Sequence, residues 1–258
     1  MTGPAMRRLG KTEGTPLVLL HGFGGTMRTW NKVFPLLENE LPLILVDLPG
    51  HGKSIESDGR GGAGKMAKAI LAQLNAEGVN SFHLGGHSMG GAVSALISMR
   101  GPEQVKSLTL VAPGGMAPGI NAGLLGAYSQ ASEPEHLREI VTKMAGPGLS
   151  FPEGYFEALS EIRTAPGAMA AIGATYQAMF PEGPSEGQGV LPREMLEALP
   201  MPISMVWGDA DSVLPCPTPS DVPANFDFST IAGAGHMLPE ETPEQVADAI
   251  RKTVAKAS

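Results

Sequence analysis

Short, unbroken apolar runs recur along this chain, and each is closed by a glycine, a proline or a turn. Leu17–Leu20 precedes His21–Gly22, and Leu43–Val46 precedes Asp47 and the turn-rich Pro49–Gly50–His51–Gly52. Phe82–Leu84, Leu108–Val111 and Ile203–Val206 repeat the pattern. A strand with one wet face alternates apolar and polar residues, whereas a run without alternation belongs to a strand covered on both faces. The intervening pieces Trp30–Glu38, Lys65–Asn75, Ala92–Met99 and Pro243–Lys256 have helical spacing. In the last of these, Thr242 is the expected N-cap and Pro243 takes the first helical position, where a missing N–H costs nothing. Val246, Ala249, Ile250 and Val254 share one of its faces. Strand alternating with helix predicts an α/β protein, with a mostly parallel sheet flanked by helices.

The rhythm breaks between Gly114 and Leu199. Pro134–Met144, Tyr155–Arg163, Ala168–Phe180 and Pro192–Leu199 read as helices, with no strand run between them. Residues 114–199 are therefore expected to form an inserted helical cap, and residues 1–113 and 200–258 the core domain. At 258 residues the chain can bury a full core. Its net charge of −8 argues against nucleic-acid or anionic-membrane partners. The opening MTGPAMRRLGKTEG has basic residues without an apolar stretch behind them, so no signal peptide is expected. No run approaches the roughly 20 apolar residues that span a bilayer, and a cytoplasmic location is expected. A lone cysteine, Cys216, excludes an internal disulfide and a cysteine-based zinc site. No metal or cofactor is expected.

Gly-x-Ser-x-Gly occurs twice. In Gly183–Pro184–Ser185–Glu186–Gly187 no strand run leads in, Pro184 restricts the backbone, and more turn residues follow, so Ser185 is a decoy. Around Ser88, in Gly86–His87–Ser88–Met89–Gly90, a strand run leads in and a helix leads out. A nucleophile on so sharp a turn takes strained backbone angles, and its neighbours two positions away approach other backbone, which Gly86 and Gly90 permit by lacking Cβ. A serine hydroxyl also needs a positioned base. Of the six histidines, His236 follows the run Phe226–Ile231 and precedes the last helix, at the strand end where parallel sheets place reactive groups. His83 and His87 lie within or beside the strand, His21 and His51 in glycine turns, and His136 among glutamates, all positions that suit structural or solvated roles. Asp209 and Asp211 in WGDADSVLP are the candidate orienting carboxylates; Asp211 is favoured, because Asp209 is close enough to the strand end to serve the turn. Ser88, Asp211 and His236 then follow the chain order Ser…Asp…His. The backbone N–H groups of Phe23, in His21–Gly22–Phe23–Gly24–Gly25, and of Met89 are the candidate oxyanion donors.

The stretches LVLLHGFGG, VDLPGHGKS, LGGHSMGGAV, VWGDADSVLP and GAGHMLPEETPEQV together resemble the α/β-hydrolase superfamily. The resemblance implies that fold and places the family's aspartate on Asp211. A serine in the elbow separates the chain from the haloalkane dehalogenases and most soluble epoxide hydrolases. SLTLVAPGGMAPGIN, the cap and the GAGHMLPEE region are similar to the hydrolase-like C-terminal domain of dihydrolipoamide acetyltransferases from acetoin-cleaving dehydrogenase systems. The acyl-transfer machinery of those proteins is absent from the sequence: there is no Asp-Lys pair of a lipoyl domain and no His-x-x-x-Asp-Gly.

The resulting expectation is a serine hydrolase acting on a small ester or thioester partner through an acyl-enzyme. Acyl transfer, carbon–carbon hydrolysis of a diketone and a non-catalytic docking role stand as alternatives. Gly22, Met116 and Tyr176 are expected at the substrate, with Met144, Met169, Met179, Phe151 and Phe156 as further apolar lining candidates. The cap carries 4 basic and 10 acidic residues, a net of −6, which disfavours a highly anionic ligand such as an acyl-coenzyme A.

Overall fold

The computed structural model describes residues 2–180 and 182–257; positions 1, 181 and 258, which fall within the expected core and cap ranges, lie outside the described residues. Seven strands form one sheet: β1 (Met6–Gly10), β2 (Leu17–Leu20), β3 (Pro42–Val46), β4 (Phe82–His87), β5 (Val105–Val111), β6 (Ile203–Gly208) and β7 (Phe226–Ile231). Their order is β1-β3-β2-β4-β5-β6-β7. Only the β1–β3 pair is antiparallel, with Arg8 opposite Ile44; the other neighbours run parallel. β2, β4 and β6 are buried along their whole length, as expected for runs without alternation.

Helices α1 (Phe34–Leu37), α2 (Ala63–Ala76) and α3 (Met89–Arg100) belong to the first half of the sheet, and α9 (Leu238–Glu241) and α10 (Pro243–Ala255) follow β7. Between β5 and β6 lie α4 (Ala122–Gln130), α5 (Pro134–Met144), α6 (Tyr155–Thr164), α7 (Ala168–Met179) and α8 (Arg193–Glu197). Sequence reading misses α4, whose start is held by the Asn121 side chain accepting from Leu124 N–H at 3.0 Å. It also misses β1, an edge strand that exposes Arg7 and Arg8 and so carries no buried run.

Two helical expectations need correction. Trp30–Glu38 is not one helix but a 3-10 turn at Met27–Trp30 followed by the four-residue α1. Pro35 supplies the reason, since it has no N–H to donate to the Asn31 carbonyl one turn back and its ring crowds that carbonyl, whereas the first turn of α1 tolerates it. Thr242 stands at the N-cap position of α10, but its side chain makes no cap bond. Its hydroxyl donates instead to the Leu238 carbonyl at 3.2 Å, within the preceding turn. The face of α10 that packs on the sheet is Val246, Ala247, Ile250 and Thr253, while Ala249 and Val254 are only partly buried.

Candidate active site

Ser88 sits between β4 and α3 with φ 53° and ψ −120°. Those angles bring the backbone round within one residue, and the turn is locked on both sides. Ser88 N–H donates to the Val111 carbonyl at 3.0 Å, and the Ser88 carbonyl accepts from Gly91 and Gly114 N–H, each at 2.9 Å. A Cβ on Gly86 would collide with the Gly90 carbonyl, and one on Gly90 with the carbonyls of Leu20 and His21. The two glycines are thus required by backbone packed on backbone. Gly22 belongs to the same contact, because a Cβ there would lie 3.0 Å from Ser88 Cβ and from the His87 ring. The decoy differs: Pro184–Glu186 is a 3-10 turn away from any strand end, and Ser185 is exposed.

The structure brings together the three side chains that the sequence singles out. His236 Nε2 lies 2.9 Å from Ser88 Oγ, and His236 Nδ1 lies 2.7 Å from Asp211 Oδ2. The other Asp211 oxygen accepts from Val213 and Leu214 N–H at 2.8 and 2.9 Å. Those two bonds fix the carboxylate, and the carboxylate in turn fixes which edge of the imidazole meets the serine. Asp209 accepts from Gly233 N–H at 2.7 Å and serves the turn.

Residues around the His236 loop do work that sequence reading does not anticipate. His87 Nε2 donates to the His236 carbonyl at 2.7 Å, so the elbow's variable residue clamps the backbone of the loop opposite. Burial, and then the nearby His236 charge, push its pKa down to about 3, which keeps it neutral. Glu241 gathers three N–H groups, from Gly146, Gly235 and Met237, each at 2.8 Å. The acidic pair in His236–Met237–Leu238–Pro239–Glu240–Glu241 was the available signal. On the other side, His21 Nε2 accepts from Leu48 N–H at 2.9 Å, so its Nδ1–H donates to the Gly22 carbonyl at 2.8 Å. Burial lowers its pKa to about 4 and preserves that tautomer.

Among the described residues, neither Phe23 N–H nor Met89 N–H donates to a protein acceptor. Met89 opens α3, so its amide is one of the helix's unpaired N-terminal donors. Gly22, Phe23, Ser88 and His236 line a cavity of about 350 Å³, a size suited to a small molecule. The walls are mainly apolar and come from the β5–β6 connection: Leu125, Tyr128, Val141, Met144, Leu149, Phe151, Leu159 and Ile162. Thr26, Thr29, Asn31, Lys32 and Glu240 supply polar lining.

Of the residues expected at the substrate, Gly22 is at this cavity and the other two are not. Met116 lines a separate cavity of about 260 Å³, with Trp207, Leu214 and Cys216. Tyr176 stands behind Phe23, ring centroids 6.4 Å apart, and its hydroxyl donates to the Ala122 carbonyl at 3.1 Å. Met144 and Phe151 do face the cavity, whereas Phe156 is buried in the core.

With this geometry in hand, comparison with known proteins identifies the class. Residues 17–249 match the model of the Alpha/beta hydrolase family, and the chain belongs to it. It is 33% identical over 241 residues to the "Dihydrolipoyllysine-residue acetyltransferase component of acetoin cleaving system" of Pseudomonas putida, covering 92% of this chain but 63% of that protein. It is 30% identical over 214 residues to the "Pimeloyl-[acyl-carrier protein] methyl ester esterase" of Citrobacter koseri, covering 80% of each. A solved meta-cleavage product hydrolase from Pseudomonas fluorescens superposes with a TM-score of 0.85 at 19% identity, over 99% of this chain and 95% of that one. The chain's relatives also include the "Monoacylglycerol lipase ABHD6" of Mus musculus, 25% identical over 255 residues, covering 91% of this chain and 74% of that protein. Among the described residues no helix is long and apolar enough to cross a membrane.

Proposed function

We propose that the chain is a serine hydrolase that cleaves a small ester or thioester through an acyl-enzyme on Ser88. The observation that carries this reading is the continuous hydrogen-bonded series from Ser88 Oγ through the His236 ring to Asp211. His236 Nε2 takes the serine proton as Oγ attacks the carbonyl carbon, and the negative charge moves to the carbonyl oxygen. Phe23 and Met89 N–H are the donors offered to that oxyanion. When the tetrahedral intermediate collapses, His236 returns the proton to the departing alkoxide or thiolate. Water then repeats the sequence on the acyl-enzyme, releasing the acid and restoring Ser88. Asp211 holds the imidazole in the required tautomer and stabilises its cation. The apolar cavity walls favour an uncharged acyl or alcohol chain.

The test is labelling with a fluorophosphonate, followed by a panel of short-chain esters, thioesters and diketones. Wild type should label on Ser88 and turn over the esters, and Ser88→Ala should do neither. Labelling elsewhere, or wild-type turnover in Ser88→Ala, would reject the proposal. The acetyltransferase name of the Pseudomonas putida relative supports a second reading, in which an added thiol or alcohol takes the acyl group in place of water. Product analysis with such acceptors separates the two.

A further inference from the structure

Glu240 and Glu241 are adjacent in α9 and differ completely in their surroundings. Glu241 is saturated by three backbone N–H groups and belongs to the scaffold. Glu240 lines the same cavity as Ser88 and His236. Among the described residues its carboxyl has a single protein partner, the Tyr155 hydroxyl of α6, which donates to Oε1 at 3.0 Å. Among the described residues the carboxyl makes no ion pair; desolvation raises its pKa to about 7 and outweighs the Tyr155 hydrogen bond and the more distant Lys32 charge, which pull it down. The fold draws little from it, since the Lys32 ammonium bonds the Glu240 backbone carbonyl at 2.9 Å rather than the carboxyl.

From this contrast we infer that Glu240 and Tyr155 form a polar subsite that receives a free hydroxyl group on the substrate. The inference rests on the ester-hydrolase reading above and adds the class of ester. Glu240 accepts a hydrogen bond from that hydroxyl through a lone pair that the Tyr155 O–H, donating to Oε1, leaves free. Lys32, lining the same cavity, disfavours an ammonium at this place, so a neutral hydroxyl fits better than an amine. The hydroxyl sits on either the alcohol or the acyl part of the ester.

The experiment measures binding where no turnover occurs. Dissociation constants are taken by NMR titration for Ser88→Ala, Ser88→Ala/Glu240→Leu and Ser88→Ala/Glu240→Gln. Two pairs that exchange OH for CH3 are used: hydroxyethyl butyrate with propyl butyrate, and ethyl lactate with ethyl isobutyrate. In at least one pair the preference for the hydroxylated member should fall about tenfold with Leu. Gln, which keeps a carbonyl acceptor and most of the shape, should retain part of it. A preference that changes less than twofold in both pairs with Leu overturns the inference, as does a Gln variant that loses more than Leu. Failure of the ester-hydrolase reading would appear separately, as a wild type that neither labels on Ser88 nor turns over the esters, and would leave these binding ratios intact.

Discussion

Ser88 allows the strain of the turn to be separated from the chemistry. Its φ of 53° and ψ of −120° match the first central position of a type II′ turn, a place glycine dominates because a Cβ is crowded there. Holding a non-glycine residue in such a region costs about 1–3 kcal/mol. Ser88→Ala removes the hydroxyl and its bond to His236 but keeps the Cβ, and with it the strain. Ser88→Gly removes both. The difference between the two variants therefore isolates the strain, less the backbone entropy that glycine adds to the unfolded chain, about 0.5–1 kcal/mol.

The net expectation is that Ser88→Gly is more stable than Ser88→Ala by about 1 kcal/mol. For a domain of this size that is about 2–4 °C in Tm. Both variants should be inactive against the ester panel. Thermal and urea unfolding of the two, side by side, reads the difference directly. A glycine variant that melts at or below the alanine variant would refute the argument that the elbow stores strain.

Asp211→Asn should lower kcat on esters by a factor on the order of 10^3–10^4, since an amide cannot impose the same tautomer. Asp209→Asn should cost no more than about 1 kcal/mol of stability, read by urea unfolding, because among the described residues its side chain accepts one hydrogen bond, from Gly233 N–H, which an amide oxygen also accepts. Gly90→Ala would place a methyl against the Leu20 and His21 carbonyls and should lose roughly 1–3 kcal/mol by the same assay; an unchanged midpoint would contradict the packing. Stability should also fall with pH: His21, His51 and His87 are held near 4, 3 and 3, so the unfolded chain takes up their protons first, near 6.5. Each then loses about 2 kcal/mol by pH 5. Glu240, raised to about 7, works in the opposite sense over the same window but is outweighed by the histidines, His83 among them, so the net change is a loss. Unfolding midpoints at pH 7 and 5 check the sign, and Glu240→Gln should steepen the loss.

Strands β2, β4 and β6 were legible because burial on both faces leaves an apolar run that other positions rarely imitate, whereas the edge strand β7 is largely exposed. Leu17–Leu20 is apolar throughout, and every position in it is buried. β1 left no such mark, since an edge strand pairing only with β3 is free to carry Arg7 and Arg8 outward. The nearness of Ser88, Asp211 and His236 was legible for a related reason. Each follows a strand whose C-terminal end the parallel arrangement brings to one rim, so recognising the strands already places the three loops together.

The cavity walls obey no comparable rule. Helices α4 to α7 pack on one another and on loops far away in sequence, and apolar side chains there satisfy a neighbouring helix as readily as a ligand. Tyr176 shows the difficulty, because its ring meets Phe180 and Phe23 and its hydroxyl meets Ala122. The Ala122 contact depends on how α4 meets α7 and the Phe23 contact on how α7 meets the loop after β2, and helical periodicity encodes neither. Met116 fails in the same way, since the segment following β5 turns it toward Trp207 and Leu214, into the second cavity. A polar group set among apolar walls is the more telling sign. Satisfying it is expensive, and when among the described residues one hydroxyl donates to it, as Tyr155 does to Glu240, the remaining capacity points at whatever enters the cavity. The hydroxyl preference proposed for the Glu240 carboxyl is therefore the place to test what the cavity selects, and the apolar residues around it set only the volume available.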